Sequence, residues 1–198
     1  MAEALPRPYP LAAAVNPAST TRIARPMGPV SAEVEIDVPR PRVFEALADL
    51  ALRPAFTDHF ISDFHLTRIE SVGVGGGARF RFAVRPRAVW MDTTIVEVER
   101  PHRILEHGRG GRGNRIPSTT LWELTEGPGS LTGVRVSYWT EPANPVDRGL
   151  ELLSAASIPY QRHWREALRR LRDLLEAGRL GESRATVAGG NPVATGIP

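Results

Sequence analysis

Pro159-Tyr-Gln-Arg-His-Trp-Arg-Glu-Ala-Leu-Arg-Arg-Leu-Arg-Asp-Leu-Leu-Glu-Ala-Gly178 is the stretch whose reading decides the fold. Tyr160, Trp164, Leu168, Leu171 and Leu175 recur at spacings of four, four, three and four, which draws one apolar stripe along an α-helix. The opposite face sets Arg162 against Glu166, Glu166 against Arg170, Arg169 against Asp173 and Arg172 against Glu176, all four apart. Such exposed pairs contribute only about 0.3–0.5 kcal/mol each. The helix must therefore be held by docking its stripe. At ~1.5 Å rise per residue it is roughly 30 Å long, enough to cross a whole sheet diagonally. Pro159 stands near its start with Ser157 as a cap, and Pro145 to Ala156 read as an upstream helical segment meeting it at a bend.

The surface that receives this helix is written upstream. Val34, Ile36 and Val38 alternate with Glu33, Glu35 and Asp37, a period of two that marks a strand with one buried face. Pro39 and Pro41 stop it. Val43, Phe44, Leu47 and Leu50 then return to helical spacing, and a second short helix is expected from Leu52 to His59, with Pro54 in its first turn. Strand-like segments follow at His65–Val72, Ala78–Val84, Trp90–Glu99, Arg103–Gly108, Ser118–Thr125 and Leu131–Thr140, separated by glycine- and proline-marked turns. That punctuation indicates an antiparallel meander.

Length and composition bound the rest. A chain of 198 residues, 41% hydrophobic and 24% charged, has the profile of one globular domain with tails. Pro6, Pro8, Pro10, Pro17 and Pro26 interrupt residues 1–28, which read as a flexible leader; 29–178 form the domain; 179–198 are expected to be a disordered tail. The apolar run Leu11–Val15 is too short to span a membrane and lacks the layout of a secretory signal. There is no cysteine, which excludes disulfides and thiolate ligands and points to the cytoplasm. The net charge of +3 is carried by arginine alone, spread along the chain and mostly near acids, so nucleic-acid binding is not expected.

The order strand, two short helices, six strands, long helix resembles the helix-grip fold of the START-related superfamily, which includes polyketide cyclase/dehydrase and lipid-transport proteins. The likeness is carried by Glu33-Val-Glu-Ile-Asp-Val-Pro39 with Val43-Phe-Glu-Ala-Leu-Ala-Asp49, and by Gly73-Val-Gly-Gly-Gly-Ala-Arg-Phe80. Glu97-Val-Glu-Arg-Pro-His-Arg-Ile-Leu105 and Trp164-Arg-Glu-Ala-Leu-Arg-Arg-Leu171 complete it. It implies an α+β architecture: a curved seven-stranded antiparallel sheet wrapped around the C-terminal helix, with two short helices after the first strand. It also implies an apolar or aromatic small molecule held between helix and sheet, and no shared catalytic residues.

Other motifs read as structure. Gly73–Gly77 could suggest a phosphate cradle, but Arg79-Phe-Arg-Phe82 follows at strand period where a helix would be required. Arg109-Gly-Gly-Arg-Gly-Asn-Arg115 reads as a solvated loop near the pocket mouth. The five histidines lack metal-ligand spacing, no Gly-x-Ser-x-Gly elbow occurs, and neither metal nor cofactor is expected.

Parity along the strands nominates inward polar groups. If Val96 and Val98 face the core, Trp90, Asp92 and Thr94 share their face unless a bulge intervenes. Leu105 would bring His107 inside, and Val134 and Val136 bring Tyr138 inside. The expected pocket wall is Phe80, Phe82, Trp90, Thr94, Leu105, Trp122, Val136, Tyr138, Tyr160, Trp164 and Leu168. The first functional expectation is a carrier or binding module for a hydrophobic or aromatic small molecule. The alternative is a polyketide cyclase/dehydratase-type enzyme, in which His107 or Asp92 removes an α-proton while Tyr138 or Arg81 steadies the enolate oxygen.

Overall fold

In a computed structural model, residues 30–84, 87–111, 114–141, 157–182 and 184–187 are described; the leader and the segment Pro145–Ala156 lie outside them. Strand β1 (Val30–Asp37) ends where Pro39 and Pro41 remove ladder donors, and Pro41 falls in the first turn of α1 (Arg40–Ala48). Helix α1 buries Val43, Phe44, Ala46, Leu47 and Ala48. The expected second helix is two pieces, a 3₁₀ turn at Leu50–Leu52 and α2 (Pro54–Thr57). Asp49 caps the 3₁₀ turn by accepting from Ala51 N at 3.0 Å.

Six strands follow: β2 (Ile61–Leu66), β3 (Gly77–Val84), β4 (Arg87–Glu99), β5 (Arg103–Gly110), β6 (Ile116–Glu126) and β7 (Leu131–Thr140). They form one antiparallel seven-stranded sheet in the order β1-β7-β6-β5-β4-β3-β2. Consecutive strands β1 and β2 thus lie on opposite edges, and the short helices carry the chain from one edge to the other. The strand expected at His65–Val72 starts and ends earlier, because the pairing with β3 shifts register between Ser62 and His65, where Asp63 has φ 51. Beyond Leu66 only the bridge Asp49↔Val72 continues the pairing. The glycine-rich stretch is a turn leading into a strand; Gly73 and Gly75 have φ 71 and 90, and a Cβ on Gly76 would lie 2.9 Å from the Ser71 carbonyl oxygen.

Helix α3 (Ser157–Glu176) lies across the concave face. Trp164, Ala167, Leu168 and Leu171 are buried, and Tyr160, Leu174 and Leu175 pack beside them, so the stripe docks as its spacing requires. Each fully buried large side chain contributes about 1.5–3 kcal/mol, several times an exposed ion pair. Polar ties fix the helix position: Gln161 Nε2 donates to Ser31 O at 3.3 Å, Asp37 N donates to Glu176 Oε1 at 2.9 Å, and Arg170 Nη1 reaches Asp58 Oδ1 at 2.5 Å.

The packed chain runs past residue 178, the boundary expected from composition. Leu180 and Ala185 are buried, Ala185 N donates to Ala51 O, Leu66 N donates to Thr186 O, and Arg184 Nη2 sits 2.6 Å from Asp49 Oδ2. Small, apolar Ala185 slips beneath the 3₁₀ turn, and the strand-edge donor of Leu66 gains an acceptor.

Candidate functional site

Each strand contributes one face to the space beneath α3. Strand β7 sends in Val134, Val136 and Tyr138; β6 sends in Ser118, Thr120, Trp122 and Leu124; β3 sends in Ala78, Phe80 and Phe82. These faces agree with the alternation in the sequence. Strands β4 and β5 do not follow it. A register shift between Ile95 and Glu97 reverses the parity of β4, so Met91, Thr93 and Ile95 face the core while Trp90, Asp92 and Thr94 face out. In β5 the inward residues are Ile104 and Glu106; Leu105 is half-buried on the other face and His107 is exposed.

The consequences are concrete. Trp90 is 42% exposed, lying between the Arg79 and Arg81 guanidinium groups at 5.2 and 5.9 Å from its ring. The Asp92 carboxylate accepts from Asn114 Nδ2 at 2.6 Å and faces Arg79 Nε at 3.7 Å. Of the residues expected to carry chemistry, Tyr138 alone is buried, its hydroxyl 3.8 Å from Met91 Sδ.

The interior that results is divided in two. One side is aromatic: Phe82 lies 5.0 Å from Tyr160 and 6.0 Å from Tyr138 between centroids, Phe60 meets Trp164 edge-on at 5.3 Å, and Trp164 meets Trp122 edge-on at 5.6 Å. The other side holds a buried ion pair that the strand alternation did not suggest. Arg53, 4% exposed, places Nη2 2.6 Å from Oε1 of Glu106, itself 2% exposed. Trp122 Nε1 donates to the same oxygen at 2.7 Å, and Thr93 Oγ1 donates to Oε2 at 3.2 Å. The guanidinium lies 4.7 Å over the Trp122 ring. A buried carboxylate is tolerable only when paired and hydrogen-bonded in this way. Among the described residues, Arg53 Nε and Trp164 Nε1 are buried with no hydrogen-bond partner.

A cavity of about 20 Å³ lies between the two sides. Arg53, Thr93, Glu106, Ser118 and Thr120 line it with Phe80, Phe82, Met91, Tyr138 and Trp164. That volume accommodates about one water-sized group. Asp92 also borders it, through a position whose carboxylate is engaged outside. Among the described residues no group of three or more His, Asp or Glu could hold a metal ion, and no helix is long and apolar enough to cross a membrane.

Beside this site, His59 and His163 join the end of α2 to α3. His59 Nε2 donates to the His163 carbonyl at 3.1 Å, and the His163 ring stacks on Phe60 at 5.2 Å. Burial pushes the pKa of both rings below the ordinary value of 6.5; at His59 the nearby Arg170 adds to the effect, against the hydrogen bond to His163.

Residues 27–176 match the family described as polyketide cyclase/dehydrase and lipid transport. Solved structures share the fold. The chain is similar to the KanY protein at 17% identity and TM-score 0.60, covering 75% of this chain and 97% of that one. It is similar to the TTHA0849 protein of Thermus thermophilus at 18% and 0.56, covering 76% and 98%. It is also similar to DynU16, from the dynemicin biosynthetic locus, at 21% and 0.51, covering 76% of this chain and 48% of that one. No curated protein matches the sequence.

Proposed function

Because the chain belongs to the polyketide cyclase/dehydrase and lipid transport family, we propose that it is a cytoplasmic carrier or binding module for a hydrophobic or aromatic small molecule held between α3 and the sheet. The observation that carries this reading is the divided interior, a wall of aromatic rings facing a compact polar patch under one helix. Small-molecule sites have that composition, apolar over most of their surface with a few placed polar groups. A ligand needs more room than about 20 Å³. Pockets for drug-sized molecules run to roughly 300–1,000 Å³, so binding must turn Phe82, Tyr138 and Tyr160 aside or lift the start of α3. The rings that fill the space are then the ones that re-pack against the guest.

The enzyme reading, cyclase/dehydratase chemistry, is supported by the family and by Tyr138 at the cavity, but His107 is exposed and the Asp92 carboxylate is engaged with Asn114 and Arg79. The carrier reading therefore leads. Native mass spectrometry of the purified protein, with thermal shifts across fatty acids, sterols and aromatic polyketides, tests it. A retained small molecule or a shift of several degrees supports it; a bare protein unmoved by every member of the panel removes it.

A further inference from the structure

Among the described residues, two buried N–H groups on side chains that line the cavity have no acceptor. Arg53 and Trp164 are 4% and 3% exposed, both line the same small void, and Arg53 Nε and Trp164 Nε1 have no partner. Buried donors without acceptors are rare and costly in native proteins. Here two of them border one space, linked through Trp122, whose ring lies under the Arg53 guanidinium and edge-on to Trp164. The carboxylate paired with Arg53 is already occupied. Glu106 Oε1 takes Arg53 Nη2 and Trp122, and Oε2 takes Thr93.

We infer that this corner is an acceptor-oxygen subsite, and that the ligand is an uncharged apolar molecule bearing a carbonyl-type oxygen, which Arg53 and Trp164 hold. The inference rests on the cavity being the ligand site and goes further by naming the head group. Charge decides the class. Arg53 and Glu106 already cancel within a buried pair. A carboxylate ligand would leave that interior with a net negative charge and add its own desolvation cost, whereas a ketone, ester or quinone oxygen brings acceptor lone pairs and no charge. A hydrocarbon would leave both donors unpaired. The void has room for an oxygen-sized group and no more, so the oxygen can seat in it while the apolar body displaces the aromatic rings.

The test uses three probes of similar shape on the full chain: acetylnaphthalene, ethylnaphthalene and naphthoate, titrated at pH 8 by tryptophan fluorescence and calorimetry. The ketone should bind about tenfold or more tighter than the hydrocarbon, as expected for an acceptor satisfying a charged donor, and tighter than naphthoate. In the double variant Arg53→Met/Glu106→Leu, where the pair is replaced by apolar residues and Trp164 remains, most of the ketone's advantage over the hydrocarbon should be lost. Trp164→Phe, which removes one donor and no charge, should cut the ketone preference severalfold and serves if the double variant does not fold. Equal binding of ketone and hydrocarbon by the natural chain, or tightest binding of naphthoate, overturns the subsite while leaving the cavity reading intact. Failure of all three probes to bind overturns the subsite, and removes the cavity reading as well if the fatty-acid, sterol and polyketide panel is also silent.

Discussion

Two adjacent pairs of residues on β4 and β5 have opposite fates. Thr93 and Glu106 face the interior and join the network around Arg53; Asp92 and His107, their immediate neighbours in sequence, face away. The inner pair sits where every hydrogen bond must be made by protein, so its energetics are steep. The outer pair is wetted, with water ready to replace any lost partner. Titratable side chains therefore cannot be weighed for function by type: a strand decides, residue by residue, which of them has anything at stake.

Removing one charge from the inner side should have the largest effect. Glu106→Leu leaves the Arg53 guanidinium buried without its counter-ion, and Arg53→Met strands the carboxylate. Each single change should cost about 3–5 kcal/mol in urea denaturation, whereas the double change should come near to neutral. Equal losses in single and double variants would mean that side-chain packing, not charge, accounts for the cost.

A finer cut removes one donor and spares the charges. Trp122→Phe keeps the ring packing against Trp164 but takes the indole N–H away from Glu106 Oε1, which still holds Arg53. The expected loss is about 1–3 kcal/mol, a buried acceptor left one bond short. A loss as large as that of Glu106→Leu would show that the indole, and not Arg53, is the carboxylate's principal partner.

The seam between α2 and α3 supplies an intermediate case, half-buried and titratable. With His59 and His163 depressed below 6.5 in the folded protein, the unfolded chain takes up protons first as pH falls. Stability should be fully present above pH 6.5 and decline below it, until the folded rings also protonate. Asp58 and Glu166 face Arg170 at this seam, and Glu166 also acts on His59, so carboxylate titration lies further down the same curve. The double variant His59→Gln/His163→Gln should flatten the stability profile between pH 6.5 and the carboxylate range. An unchanged profile would assign the acid sensitivity elsewhere.

These outcomes also mark how far the sequence could be read. Strand β7 and helix α3 were legible because each has an unbroken period: Val134, Val136 and Tyr138 at two, and Tyr160 to Leu175 at about 3.6. Strand β4 was not, since one extra residue between Ile95 and Glu97 inverts everything before it, and nothing in the local composition announces a bulge. In β5 the adjacent apolar residues Ile104 and Leu105 point to opposite faces, so periodicity cannot choose between them. Choosing Leu105 turned His107 inward and turned Glu106 out. A buried glutamate counts as surface in any such reading. The one available signal was its partner: Arg53 interrupts the otherwise apolar run from Leu50 to Phe56, and an arginine there needs an acid from elsewhere in the fold.

The smallest expected effect bears hardest on what the outer residues do. His107 is exposed, and Asp92 loses only an exposed contact to Asn114 and a long one to Arg79 when its charge is removed. His107→Ala and Asp92→Asn should each shift stability by no more than about 0.5 kcal/mol. Their effect on ligand affinity should be as small, because His107 is exposed and the Asp92 carboxylate is engaged with Asn114 and Arg79. If either change instead abolished a turnover while leaving binding intact, the outer face of β4 and β5 would have to enter the chemistry, and the enzyme reading would displace the carrier. Equal silence in stability, binding and turnover would confine function to the inner pair, one residue away on each strand.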